Sequence, residues 1–221
     1  MLISGMGIGG PALAYWLTAA GFRPTLVERA PSLRAGGYVI DFWGLGYDVA
    51  ERMGLTPDIL RTGYKARELR VVGDDGAHVA GFGVRVFREL TAGRYVTLAR
   101  RDLSRLLFEK ARGTTEVLFG DSVAALHEDA QCVSVAFEHA AERRFDLVIG
   151  ADGLRSNIRR LAFGPDSRFE LQLGYSAAAF EVPGYRPREE NSYVMYNPAG
   201  PDGGSLCAQR RPDAFPLRFC R

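Results

Sequence analysis

The chain is poor in lysine, histidine and cysteine, and it lacks any long apolar run. Only Lys65 and Lys110 are lysines among 28 basic residues, and 26 acidic residues leave a net charge of +2. So small a surplus gives no argument for a nucleic-acid partner, and none is expected. The three cysteines (Cys132, Cys207, Cys220) form no Cys-x-x-Cys pair. Together with His78, His127 and His139 they give no zinc spacing, so no metal is expected. Cysteines without paired spacing suit a reducing, cytoplasmic compartment. No stretch is long enough to span a membrane. The apolar N-terminus lacks the basic flank of a signal peptide. No serine, cysteine or histidine stands in a nucleophile pattern, so no catalytic residue is assigned.

What the chain does have is an ordinary globular composition, 47% hydrophobic and 24% charged over 221 residues. That length can bury one large domain, or one and a part. Its organising stretch is Gly5-Met6-Gly7-Ile8-Gly9-Gly10. A strand over Leu2 to Ser4 precedes it, a helix over Pro11 to Ala20 follows, and a second strand over Thr25 to Val27 closes on Glu28. This is a βαβ unit with G-x-G-x-x-G at Gly5, Gly7 and Gly10. Gly5 allows the tight turn, Gly7 lets a pyrophosphate approach the backbone, and Gly10 lets helix and strand pack closely. The helix start offers unpaired N–H groups to phosphate. Pro11 suits the first turn, where its missing N–H costs nothing. Glu28 lies 18 positions after Gly10, where a carboxylate can accept from ribose hydroxyls. An acid there favours FAD or NAD over NADP at this site.

Further on, residues 29–37 read as a loop and Tyr38 to Phe42 as a short strand carrying Asp41. Leu45, Val49 and Met53 share one helical face, ended by Gly54, and Thr56-Pro57 opens another helix. Arg67 to Val72 and Ala77 to Phe82 form a hairpin, with Val84 to Phe87 as a third extended piece. Tyr95 to Ala99 is extended, and Arg100-Arg101-Asp102 leads into a helix. Strands follow at Glu116 to Phe119, Val123 to His127 and Cys132 to Phe137. Phe145 to Ile149 reads as one buried parallel strand. A helix over Ser156 to Leu161 comes next, then strands at Gly174 to Glu181 and Ser192 to Tyr196. The tail from Pro198 shows no periodicity.

Three stretches in this order resemble the class A FAD-dependent monooxygenases, the group of the p-hydroxybenzoate hydroxylases and tetracycline-inactivating monooxygenases. They are the Gly5 to Glu28 unit, the R-x-x-L-x-x-x-L pattern at Arg100, Leu103 and Leu107, and Asp146-Leu147-Val148-Ile149-Gly150-Ala151-Asp152-Gly153 running on to Arg159. The resemblance implies an α/β fold: a Rossmann-like FAD-binding domain over 1–66 and 95–165, plus an incomplete antiparallel β substrate domain over 67–94 and 166–221. It implies that Gly5, Gly7, Ile8, Gly9, Gly10 and Pro11 hold the FAD pyrophosphate and Glu28 the ribose, with Arg29 beside it. Arg100 would contact the phosphate and ribityl region, and Val123 the adenine. Gly37 and Asp41 match a loop by the flavin ring, and Asp152 and Gly153 a loop tied to FAD and NADPH. The implied reaction takes electrons from NADPH or NADH and hydroxylates an aromatic or polyketide-like small molecule with O2 through a C4a-hydroperoxyflavin.

The family's later G-D-[AS] motif and final long helix are not in the sequence. The resemblance thus implies a C-terminally truncated chain with an open flavin site and poor hydroxylation by itself. A non-catalytic FAD-binding protein of the same family is the alternative. A halogenase is disfavoured by the lack of W-x-W-x-I-P. A short-chain dehydrogenase is disfavoured because none of the nine tyrosines has lysine four residues later.

Overall fold

The computed structural model of the protein describes residues 1–34, 36, 38–173, 176–179, 191–196, 205–209 and 217–220, with 176–179, 205–209 and 217–220 as backbone strands only. Contacts divide the chain into two compact units, Met1–Ala35 with Leu103–Leu171 and Gly36–Asp102 with Gln172–Arg221. In chain order, β1 (Leu2–Ser4), α1 (Gly9–Ala19) and β2 (Thr25–Glu28) come first. Then come β3 (Val39–Trp43), α2 (Gly44–Arg52), α3 (Thr56–Thr62), β4 (Glu68–Val72), β5 (His78–Gly83), α4 (Val84–Thr91) and β6 (Tyr95–Ala99). They are followed by α5 (Arg100–Ala111), β7 (Glu116–Phe119), β8 (Val123–Glu128), β9 (Val133–Phe137), β10 (Arg143–Phe145), β11 (Val148–Gly150) and α6 (Asn157–Phe163). A 3-10 turn at Asp166–Arg168 precedes β12 (Ser176–Ala179), β13 (Ser192–Tyr196), β14 (Ser205–Gln209) and β15 (Leu217–Cys220).

The first unit rests on a parallel sheet in the order β11-β1-β2-β7. Its central strand β1 is buried at every residue, as a strand covered on both faces must be. The pleat sends neighbours to opposite sides. Leu2 joins Val27, Val123, Val135, Phe137, Phe145 and Ile158 in one core. Ile3 joins Met6, Ala14, Leu26 and Ala111 in the other. The antiparallel sheet β10-β9-β8 supplies residues to the first core, and α1 and α5 supply residues to the second. This is the expected α/β architecture around a βαβ unit.

The second unit holds the β3–β6 antiparallel ribbon and a six-stranded sheet in the order β12-β15-β14-β13-β4-β5. All five residues of β6 are buried. The six-stranded sheet is antiparallel except that β13 runs parallel to β4, so it is mixed.

Several sequence expectations are corrected. Val84 to Phe87 is not extended but opens α4. Its β-branched valines are overridden by ring packing, with Phe87 against Phe82 at 5.2 Å and against Tyr95 at 5.7 Å. Phe145 to Ile149 is not one strand. Phe145 pairs with Val133 in the antiparallel sheet, Val148 pairs with Leu2 in the parallel one, and the chain changes sheets at Asp146-Leu147. On α2 the expected face holds only at Met53, which is 1% exposed just past the helix end; Leu45 is 84% exposed, and Tyr47 and Ala50 are buried instead. The tail from Pro198, which shows no periodicity in sequence, contains β14 and β15 within the β sheet expected for 166–221. The strand expected over Gly174 to Glu181 is described only at Ser176–Ala179. The second compact unit takes in 36–66 and 95–102 along with the later sheet. The reason is local pairing: β3 lies along β6 over five residue pairs, and Tyr64 bridges Thr97.

Candidate cofactor site

In the first unit the glycine loop follows β1, and the constraints at Gly5 and Gly10 have a visible cause. Gly5 has φ +104, and a Cβ there would lie 2.6 Å from Ala151 O. A Cβ on Gly10 would lie 1.9 Å from Gly5 O, so only glycine lets α1 start this close to the strand end. Gly9 is exposed, with open space where a side chain would stand. The helix then starts at Gly9 with Ile8 at its N-cap, without a side-chain cap and without an acid in its first turn. Those donors and the helix dipole remain available to an anion.

Glu28 ends β2 half-buried, and its carboxylate grips the loop itself. Oε2 accepts from Met6 N at 2.9 Å and Oε1 from Ala30 N at 3.0 Å. A carboxylate has about four acceptor positions, so two bonds leave room for ribose hydroxyls. Arg29 beside it is exposed. From the opposite side, Ser104 of α5 donates to Gly7 O at 2.9 Å, with Met6 O at 3.3 Å. Sequence reasoning missed this serine. Its only signal was its place inside the R-x-x-L-x-x-x-L stretch.

Asp152 and Gly153 form a turn after β11, with Gly153 at φ +85. The Asp152 carboxylate is committed to α6: it accepts from Asn157 N at 2.8 Å, from Ile158 N at 3.1 Å and from Ser156 Oγ. Ser156 in turn caps Arg159 N at 3.0 Å. The Asp152 loop is thus held against the helix it starts, while Ala151 N bonds Ser4 O at the end of β1. The Val123 side chain is 1% exposed in the core, and its carbonyl accepts from Asn157 Nδ2 at 2.6 Å.

In the second unit, Arg100 is exposed at the start of α5. Its guanidinium lies 5.6 Å from the Tyr38 ring centre, and its backbone N–H donates to Tyr38 O at 3.0 Å. Asp41, on β3, accepts through Oδ1 from Thr97 Oγ1 at 2.6 Å and from the Tyr193 hydroxyl. Thr97 is fully buried. Burial, then the Asp41 charge and hydrogen bond, push the Tyr193 hydroxyl far above the usual tyrosine range. Tyr193 stands 152 residues from Asp41, so no local pattern joins them. Gly37 lies outside the described residues.

An uncapped helix start, a glycine-only approach and an acid at the second strand end fit the diphosphate and ribose of a dinucleotide. Among the described residues, no helix is long and apolar enough to cross a membrane.

Comparison with known proteins agrees with this geometry. The FAD binding domain family matches residues 1–215. The uncharacterized protein Rv1260 of Mycobacterium tuberculosis (strain ATCC 25618 / H37Rv) is 42% identical over 193 residues, covering 84% of this chain and 50% of the relative. A flavin-dependent monooxygenase from an unknown prokaryotic organism is 35% identical over 191 residues, covering 84% of this chain and 48% of the relative. The crystal structure of the tetracycline destructase Tet(51) is similar with a TM-score of 0.74 at 29% identity, covering 99% of this chain and 55% of that one. The chain spans about half the length of the relatives it matches. It belongs to the FAD binding domain family, alongside relatives named as flavin-dependent monooxygenases, and the resemblance to class A flavoprotein monooxygenases is borne out.

Proposed function

We propose that this chain is the FAD-binding part of an NAD(P)H-dependent monooxygenase that hydroxylates an aromatic or polyketide-like small molecule with O2 in the cytoplasm. The observation that carries the reading is the glycine cradle, in which Gly5, Gly10 and Glu28 shape an uncapped helix start inside a chain of the FAD binding domain family. The kinship with a flavin-dependent monooxygenase and a tetracycline destructase supports the reaction and the substrate class.

In this reading Gly7, Ile8, Gly9, Gly10 and Pro11 face the pyrophosphate, and Glu28 takes the ribose hydroxyls while still holding Met6 N–H. Arg29 flanks the ribose. Arg100 lends positive charge to the phosphate and ribityl region, Gly37 and Asp41 serve the ring end, and the backbone near Val123 serves the adenine. Asp152 and Gly153 act through their backbone, since the Asp152 carboxylate already caps α6. The segments 67–94 and 166–221 carry the substrate-facing role. Bound flavin supplies the redox and oxygen chemistry, and the protein supplies binding, orientation and exclusion of water.

The test is a visible spectrum of the purified chain with added FAD, before and after desalting. A retained flavin band that NAD(P)H reduces is the expected result, with poor hydroxylation of added aromatic substrate by this chain alone. A protein that stays colourless with FAD in excess would refute the cofactor assignment. Retained flavin that NAD(P)H cannot reduce would refute the monooxygenase.

A further inference from the structure

The glycine loop is clamped from two sides, and the second clamp lies outside the G-x-G-x-x-G fingerprint. A serine inside a helix commonly turns its hydroxyl onto the carbonyl four residues back. Ser104 instead reaches out of α5 to Gly7 O at 2.9 Å and Met6 O at 3.3 Å. In a trans peptide the carbonyl and the following N–H point in opposite directions. Holding Met6 O and Gly7 O against α5 therefore turns the N–H groups of Gly7 and Ile8 away from α5. Glu28 has already taken the Met6 N–H at 2.9 Å. Among the described residues Gly7 N–H and Ile8 N–H have no acceptor, and they open at the uncapped start of α1.

We propose that Ser104 is a positioning residue that sets the Gly7 and Ile8 amides toward the diphosphate of the dinucleotide. The proposal rests on the FAD reading above and names a residue that the fingerprint does not. An anion accepting from two oriented N–H groups gains charge-assisted bonds only if both donors are already turned to it. Without the Ser104 hydroxyl, the carbonyl side of the loop loses this hold and only the Glu28 clamp on Met6 N–H remains of the two, so the donors are less fixed.

The experiment compares wild type, Ser104→Ala and Ser104→Thr as folded chains. Binding of FAD, ADP and adenosine is measured by calorimetry. Ser104→Ala should weaken FAD and ADP by about tenfold, the loss expected for misplaced hydrogen bonds to a charged group, and leave adenosine within about twofold. Ser104→Thr, which keeps the hydroxyl, should restore most of the affinity. The ³¹P resonances of bound FAD should shift in Ser104→Ala and return in Ser104→Thr. Without ligand, the Gly7 and Ile8 amide resonances should move in Ser104→Ala. Equal losses for ADP and adenosine would reduce Ser104 to a general structural contact and overturn the proposal. So would unchanged amide resonances, or FAD bound as tightly by Ser104→Ala as by wild type. A wild type that binds neither FAD nor ADP would overturn the FAD reading itself, and the diphosphate target with it.

Discussion

Replacing Gly10 by alanine is the sharpest perturbation of the cradle. The new Cβ would lie 1.9 Å from Gly5 O, 3.1 Å from Gly5 C and 3.4 Å from Leu26 Cδ2. Comfortable contact is about 3.5 Å, so the helix start and the Gly5 carbonyl must part by roughly 1.5 Å. Both are backbone, and Gly5 itself has no slack, since its own position abuts Ala151 O at 2.6 Å from an added Cβ. Overpacking of this kind costs about 1–3 kcal/mol. The better helix propensity of alanine returns at most about 1 kcal/mol. The net is a loss of about 1–2 kcal/mol, with FAD affinity falling because the loop amides move with the carbonyl. Gly9→Ala is the matched control, since nothing lies within 4 Å of its added Cβ. It should leave stability unchanged or slightly higher. Urea denaturation of both variants beside the wild type, with m-values compared, measures the difference. Gly10→Ala as stable as Gly9→Ala would refute the claim that the close approach of α1 to β1 requires glycine.

Two further predictions concern groups outside the loop. Asp121 is 5% exposed and accepts from the N–H groups of Ser122, His139 and Ala140. Burial pushes its carboxyl up, but the three N–H bonds outweigh burial and hold it below the usual range. Its contribution is therefore present above the ordinary carboxyl pKa of about 3.9 and is lost as pH falls through the lowered value. Urea titrations should show Asp121→Ala much less stable than wild type at pH 7, with the gap closing toward pH 3; a gap that stays constant would contradict this. Tyr193→Phe removes one of the two donors to Asp41 and should cost about 1 kcal/mol. In ultraviolet titration to about pH 11, wild type and Tyr193→Phe should show the same number of ionising tyrosines; one fewer in the variant would show that Tyr193 titrates normally.

The βαβ unit was readable because its signals are local. Glycines at fixed spacing, Pro11 in the first turn and an acid at the next strand end all act within 28 residues, and the structure places them as expected. The parts misread were those in which distant partners decide. Val84 and Val86 favour a strand by propensity, yet Phe87 packs on Tyr95 and the segment is a helix. The apolar run from Phe145 to Ile149 looks continuous, yet two different sheets divide it. The tail strands β14 and β15 exist through their ladders, and no periodicity announces them.

The sequence by itself determined the dinucleotide fingerprint, the α/β class and the family, because those rest on short-range sterics and on the order of motifs along the chain. Only the tertiary structure decided what holds the cradle in shape. Glu28 clamps Met6 N–H across 22 residues and Ser104 clamps Gly7 O across 97. Asp152, which the motif marks for the cofactor, is drawn by the N–H groups of Asn157 and Ile158 to the start of α6. A hydrogen bond depends on where two groups meet in space, and spacing along the chain does not carry that information once the groups lie on different elements.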